Sequence, residues 1–445
     1  MSGTLPCGHP SGEHAEPTLE DARFSRQDRK ELARAVVYEY CCGVDVHAKT
    51  VVAGLVTQGR KEIRTLATMT DELLQLGDWL SSAGCTHVAR ESTGVYWKPV
   101  FNILESRLTV ILVNARHIKA VPGRKADVRD CEGLADWLGH GLVKASFIPP
   151  REIRELRELV RYRQTRVTDH TAVANRIQKL IESANMKLGQ VASDVLGRSG
   201  RLMLRALAAG EPDVPKRAEL AQGKWKSKKA ELRRAREGRL TQVPRWVLAE
   251  FLPRVEELEA ALTRVEARIG EEVTACADSF VPKAVELLES IPGVGVRTAQ
   301  TLVAEIGVDM GRFPSAKHLA RWAGVCPGNH ESAGTRKSGQ PTKGNKSVRT
   351  ILVEAAWAAT RAKGTFLQAK YQRLVKRMPK QKALGAIAHR LLVISYHLLS
   401  RRVPYAELGT APRDPQQVER QRRRLVEQLK TLGVQVTIDE GAMVT

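Results

Sequence analysis

The sequence predicts a multidomain protein. An α/β domain comes first, then a long helical, coiled-coil-like middle, then a mostly helical C-terminal domain containing a helix-hairpin-helix. Three patterns carry this reading. Between 36 and 145, short β-branched runs alternate with stretches of helical period; from 151 to about 275, apolar residues recur at helical spacing in a charged background; from 281, a helix, a Gly-x-Gly turn and a second helix follow one another. A chain of 445 residues is long enough for two or three cores.

Residues 1–35 form a Pro/Gly/Glu-rich leader of disordered character, and the Cys7, His9 and His14 within it sit in no ordered framework. Domain one, 36–150, is expected to hold strands at 36–46, 50–57, 61–67, 86–91 and 109–113 and helices at 70–83, 96–106 and 126–140, closed by SFIPP. In the middle section, 151–280, Ile153, Leu156, Leu159, Val160, Val167, Val173, Ile177, Leu180 and Ile181 make one stripe. Val255, Leu258, Leu262, Val265 and Ile269 make another at heptad spacing. Two long helices separated by the basic KWKSKKAELRRAREGR fit either an antiparallel hairpin or a dimerising coiled coil. The third domain, 281–400, opens LLESIPGVGVRTAQTLVAEIG, and 401–445 is a tail.

Lys+Arg number 71 against Asp+Glu 49, a net charge of +22, which calls for a polyanionic partner, nucleic acid first. The sequence contains no uninterrupted apolar span expected to cross a bilayer and no secretory signal pattern, so a soluble, cytoplasmic protein without a membrane partner is expected. Seven cysteines with no CxxC pair argue against a disulfide scaffold or zinc ribbon.

Four carboxylates stand out. Asp45 lies near the end of the first strand, Glu91 ends another, and Asp127 and Asp130 open a helix three residues apart, hence on one face. Singly, each could be a solvated surface charge; jointly, such a cluster repels itself unless hard cations occupy it, and Mg2+ is the natural one. In the third domain Gly293 and Gly295 permit close backbone approach, and with Arg297 they suit a grip on the DNA backbone, although a glycine turn between helices can also be purely structural. The polar segment after it carries Arg336, Lys337, Lys343, Asn345 and Arg349, suited to phosphates. Ser332 there is flanked by Gly334 and cations. A serine in such a loop is ordinarily a turn residue, and spacing alone makes it no nucleophile.

Six blocks, GVDVHAKT, ARESTGVYW, LVNARHIKAVPGRKADVRD, ESIPGVGVRTAQTLVAEIG, LARWAGVCPGNHESAG and KGNKSVRTIL, stand in an order that resembles the DEDD-type insertion-sequence transposases over about residues 38–400. The resemblance implies an N-terminal RuvC-like (RNase H-like) domain and a serine-bearing C-terminal transposase domain. It assigns Asp45, Glu91, Asp127 and Asp130 to a Mg2+-holding tetrad, and Ser332 to the nucleophile that forms a phosphoserine link with DNA. Ser338, in a second Ser-Gly, is the alternative nucleophile. The implied activity is excision and insertion of an element by strand exchange. Its implied partners are the element ends and target DNA, a structured guide RNA in some members, and further copies of the chain as a dimer or tetramer. Ala126, Cys131 and Glu331 depart from the usual pattern without removing a proposed catalytic group. A RuvC-like metal-dependent nuclease or junction resolvase, and a non-catalytic nucleic-acid-binding protein, are the rival readings.

Overall fold

The computed structural model describes residues 36–58, 60–91, 96–113, 127–143, 145–191, 194–211, 220, 222, 231, 240–328, 330–332, 335–341, 343–409 and parts of 423–431; for 127–130, 330–332 and 335–338 it describes the backbone alone. The chain divides into two units, Met1–Ile148 and Pro149–Thr445.

The first unit is built on a five-stranded sheet of order β3-β2-β1-β4-β5. β1 (Tyr40–Val46), β2 (Thr50–Thr57) and β3 (Arg60–Ala67) are antiparallel neighbours, while β4 (His87–Glu91) and β5 (Thr109–Val113) run parallel to β1. Helices α1 (Thr70–Ser82) and α2 (Trp97–Leu104) connect the later strands, and α3 (Asp127–Gly139) follows them. The side-chain alternation of strands separates two cores. Cys42, Val44, Val51, Leu55 and Val88 pack with Leu73, Leu76 and Leu80 of α1 and Val100 and Leu104 of α2 on one face. Cys41, Ala89 and Val113 pack with Leu134 and Leu138 of α3 on the other. The expected elements are all present, with one correction at the start. Residues 36–39 are not strand, because the amides of Val37 and Tyr38 donate to the Gly139 carbonyl at the end of α3 (2.7 and 3.0 Å) instead of joining the β1 ladder.

In the second unit the two long helices are α4 (Arg151–Ser183) and α7 (Gln242–Ala275), with the short α5 (Leu188–Val191) and α6 (Arg198–Ala208) between them. Glu152 accepts from the Ala277 amide (2.9 Å) and His170 meets Glu259 (3.2 Å), so α4 and α7 lie antiparallel, one of the two arrangements expected. Val173, Ile177 and Ile181 of the first stripe pack in one core with Val255 and Leu258 of the second, and this core extends to Leu248 and Leu252, outside the stripes read from sequence. Most of KWKSKKAELRRAREGR lies outside the described residues, as does the leader.

Beyond the hairpin come α8 (Phe280–Glu289), α9 (Val296–Ile306), α10 (Ala316–Trp322), the two-stranded β6 (His330–Ser332) and β7 (Thr335–Ser338), α11 (Lys346–Ala359), α12 (Phe366–Val375) and α13 (Lys380–Arg401). α13 is long and apolar enough, by length and composition, to cross a bilayer, contrary to the sequence expectation. Its buried face, with Ala383, Leu384, Ile387, Leu391, Leu392 and Leu398, packs against α8, α10, α11 and α12, which accounts for its hydropathy as that of a core helix.

Candidate functional site

The acidic site of the first unit starts from two glycines. Gly43 on β1 stands opposite Gly54 on β2. A Cβ on Gly43 would lie 2.0 Å from the Cys131 carbonyl oxygen and 2.6 Å from the Ala135 amide, and one on Gly54 would lie 3.1 Å from Cys131 Sγ. The bare Gly–Gly pair is therefore what lets α3 lie down on the sheet. Asp45 is two residues beyond Gly43 and shares its face, the one α3 covers. Glu91 is two residues beyond Ala89, which packs on α3. Because β1 and β4 are parallel with Val44 opposite Arg90, Asp45 and Glu91 end neighbouring strands on one face. Asp127 and Asp130 sit in the first turn of α3, the helix on that face.

Charges around the site agree with this placement. Burial pushes the Cys131 thiol of α3 up, and the negative charges of Glu132 and Asp45 add to the effect. His47 Nε2 stands 3.3 Å from Asp45 Oδ2. Arg90, 2 % exposed, donates to the carbonyls of Glu91 (3.3 Å) and Tyr96 (3.4 Å). Burial pushes its guanidinium down to about 10, opposed by the charges of Asp45 and Glu91. This buried cation beneath two carboxylates was not foreseen from sequence, where VARE reads simply as a strand end. Among the described residues no three His, Cys, Asp or Glu gather as a metal cluster, and the side chains of Asp127 and Asp130 lie outside them.

The second unit holds the serine. Ser332 ends β6, opposite Thr335 of β7; the side chains of Ser332, Arg336, Lys337 and Ser338 lie outside the described residues. Segment 325–343 begins and ends at one point. Gly324 turns at φ 71°, and a Cβ on Gly344 would stand 2.2 Å from its amide nitrogen and 2.3 Å from the Ala323 carbonyl carbon. Lys343 precedes this junction and is exposed, as is Arg349 in the first turn of α11. Asn345 follows the junction as the N-cap of α11, its Oδ1 accepting from the Val348 amide at 3.1 Å. Its Nδ2 donates to Glu305 Oε2 at 2.7 Å. A polar cleft of about 650 Å³ opens here, lined by Arg161, Gln164 and Thr168 of α4 and by Lys346, Ser347 and Thr350 at the start of α11.

The glycine turn divides its roles. Gly293, at φ 89°, has no room for a side chain, since a Cβ would meet the Ala359 amide at 2.4 Å and the Ala355 carbonyl oxygen at 2.8 Å; its bareness serves the packing of the turn on α11. Gly295 caps α9 with open space around it, and Arg297 pairs with Glu266 at 2.5 Å.

Two further buried charged residues lie outside the sequence expectations. Arg163, 5 % exposed, occupies the position in the α4 stripe between Val160 and Val167 and donates to Gln300 Oε1, the Arg297 carbonyl and Thr301 Oγ1 (2.8, 2.9 and 3.0 Å). Glu305, fully buried in α9, accepts both arms of Arg161 (2.7 and 2.9 Å) and lies 3.5 Å from Arg157. The available signal was a charge where the helical period asks for an apolar residue.

Comparison with known proteins agrees with this architecture. Residues 42–186 match a DEDD-type IS110 model described as a transposase, and residues 285–372 match the transposase IS116/IS110/IS902 family. A probable family 20 transposase of Pseudomonas aeruginosa is 25 % identical over 72 % of this chain and 85 % of its own length. The transposase for insertion sequence element IS1111A of Coxiella burnetii is 22 % identical over 88 % of this chain and 96 % of its own. A pilin gene-inverting protein of Moraxella bovis is 34 % identical over 27 % of this chain and 38 % of its own. An α/β unit with paired strand-end carboxylates, followed by a helical unit, is here the framework of a transposase, an enzyme that acts on DNA. The chain belongs to the IS110 family of insertion-sequence transposases.

Proposed function

We propose that the protein excises and inserts its element by DNA strand exchange, with Asp45, Glu91, Asp127 and Asp130 as a RuvC-like acidic tetrad and Ser332 as nucleophile. The observation that carries this is the placement of Asp45 and Glu91 side by side at the ends of parallel β1 and β4, facing the helix whose first turn holds the two aspartates. The donor set is all hard oxygen, which suits Mg2+, and neighbouring carboxylates favour a bound cation because it relieves their repulsion. Such an ion would polarise phosphoryl oxygens and orient the strand.

Ser332 would form an Oγ–P bond as the P–O bond to the deoxyribose breaks. The departing oxygen takes the proton, and reversal of the step by a new strand's hydroxyl restores the serine. The phosphodiester energy is retained in the link, so rejoining needs no ATP. The net charge of +22 supports binding of DNA ends, target and a structured guide RNA. The cleft with Arg161, Lys346, Ser347 and Thr350 has the chemistry to take a backbone phosphate; the open Gly295 with Arg297 would make a second backbone contact, in a turn that Gly293 seats on α11, and assembly as a dimer or tetramer belongs to the same proposal.

The test is covalent trapping: purified protein, Mg2+, co-purifying RNA and DNA bearing the joined element ends, comparing wild type, Ser332→Ala, Ser338→Ala and Asp45→Ala. An adduct lost in Ser332→Ala and Asp45→Ala but kept in Ser338→Ala is expected. Metal-dependent nicks without any adduct would instead make the protein a RuvC-like nuclease.

A further inference from the structure

Glu305 is a carboxylate with 0 % exposure at the end of an apolar helix, a placement that requires full compensation. Its partners come from two directions. From α4, Arg161 donates through Nε and Nη2 (2.7 and 2.9 Å), while Arg157 lies 3.5 Å away and binds the carbonyls of Ala304 and Glu305 (3.0 and 2.9 Å). From the other side comes Asn345 Nδ2 at 2.7 Å. The hydrogen bond to Glu305 holds the Arg161 guanidinium above its ordinary value, whereas burial takes Arg157 down to about 10 against the pull of the same carboxylate.

Asn345 is the informative partner. It is the first residue after the Gly324–Gly344 junction at which the segment bearing Ser332 returns to the body of the unit. One amide side chain thus caps α11 through Oδ1 and ties the returning stem to Glu305 through Nδ2.

We infer that Glu305 is a positioning residue for strand exchange: through Asn345 it fixes the stem of the Ser332 segment against α4. The inference rests on the reading of Ser332 as nucleophile. A displacement of about 1 Å at a reacting atom is enough to slow chemistry a hundredfold, so a fixed stem matters to rate more than to affinity.

Substitutions at Asn345 separate the cap from the clasp. Asn345→Ser and Asn345→Asp both keep a good N-cap oxygen but remove the amide that donates to Glu305, the serine hydroxyl being shorter by one heavy atom, and Asp also sets a like charge against it. The double variant Glu305→Gln with Asn345→Asp restores one amide facing one carboxylate in reversed polarity. Full-length proteins would be compared by single-turnover adduct formation at saturating joined-end DNA, by affinity for that DNA, and by hydrogen exchange at 343–348.

At a temperature where every variant is folded, both single variants should form the adduct about tenfold or more slowly, with the affinity of the uncharged Asn345→Ser within roughly threefold of wild type, and the double variant should recover most of the rate lost in Asn345→Asp. Wild-type rates in Asn345→Ser, or losses that vanish once folding is complete, would overturn the positioning role. If wild type forms no serine adduct at all, the nucleophile reading fails by itself. In that case faster exchange at 343–348 in Asn345→Ser would still support the clasp, and unchanged exchange would overturn it.

Discussion

Asp45 and Glu305 carry the same kind of group in opposite circumstances. Glu305 is fully buried, and its oxygens are occupied by Arg161, Asn345 and Arg157. Asp45 is 26 % exposed, neighbours Glu91 across two parallel strands, faces the helix start that bears Asp127 and Asp130, and has the ring of His47 at 3.3 Å. A carboxylate surrounded by guanidinium and amide donors has little capacity left for a metal or substrate and serves to hold elements together. A carboxylate placed beside others shares their like charge and suits an added cation. The electrostatic surroundings therefore sort the two roles more sharply than the residue type does.

Substitution should separate them. Asp45→Asn is expected to abolish strand exchange, a loss on the order of 10³-fold or more, while folding stability without metal stays within about 1 kcal/mol, because a partly exposed charge contributes little to folding. Glu305→Leu should do the reverse in stability. Breaking a buried ion pair leaves guanidinium groups uncompensated and costs about 3–5 kcal/mol, read as a large drop in the denaturation midpoint of the second unit. If both variants lost stability equally, the contrast between the sites would be gone.

The glycines sharpen the comparison within the first unit. Gly43→Ala places a methyl 2.0 Å from a backbone oxygen of α3, which no rotamer change relieves, and should destabilise the unit by about 3 kcal/mol. Gly54→Ala meets the Cys131 sulfur at 3.1 Å and the backbone of Cys131 and Glu132 at an ordinary 3.4 Å, and a small shift of one side chain should hold the cost near 1 kcal/mol. Denaturant midpoints of the two variants would check the ranking. Equal costs would mean that α3 does not depend on a bare backbone at Gly43 to position its first turn.

Much of this was legible in the sequence, and the omissions share one cause. Strands and helices of the first unit follow from alternation and helical period, and the stripes Val173–Ile177–Ile181 and Val255–Leu258 locate the seam of the hairpin because the hydrophobic pattern is local. That Gly43 lies opposite Gly54 depends on the register of the β1–β2 pair, and that both lie under α3 depends on tertiary packing. Arg163 and Glu305 are paired with residues more than 130 positions away, so their burial could not be derived from neighbours. A charge interrupting an apolar period was the one visible trace. Asp45 and Glu91 stand out in the sequence because each closes an apolar run, and Asp127 and Asp130 because they open a helix three residues apart; the clasp on Asn345 does not, since a polar segment rich in cations reads as phosphate contacts while the Asn345 amide faces a carboxylate.

Arg163 offers a milder test of the same idea. Arg163→Leu keeps the stripe apolar but strips donors from Gln300, Thr301 and the Arg297 carbonyl, at a cost of about 2 kcal/mol in the midpoint of the second unit. Combining it with Gln300→Leu should recover part of that loss, because removing both partners leaves fewer unsatisfied groups. No recovery would assign the loss to packing of the arginine stem.

The smallest expected effect is on pH dependence, and it too can be compared between the units. Burial lowers the His389 imidazole of α13 below its ordinary 6.5, and the charges of Arg390 and Lys370 act in the same sense. His87 of β4, stacked on Tyr38 with ring centres 4.0 Å apart, is lowered by burial as well. In each case the folded value lies below the unfolded one, so over the interval between them the unfolded chain binds more protons and stability rises with pH. The contribution is present above about 6.5 and is lost as pH falls through the folded value. Thermal denaturation between pH 7.5 and 5 should show a decline that His389→Gln flattens in the second unit and His87→Gln flattens in the first, each by on the order of 1–2 °C. A decline unchanged in both variants would move the acid sensitivity to the carboxylate partners, and Glu259, held below its usual range chiefly by its hydrogen bond to Arg201, would be the group to substitute next.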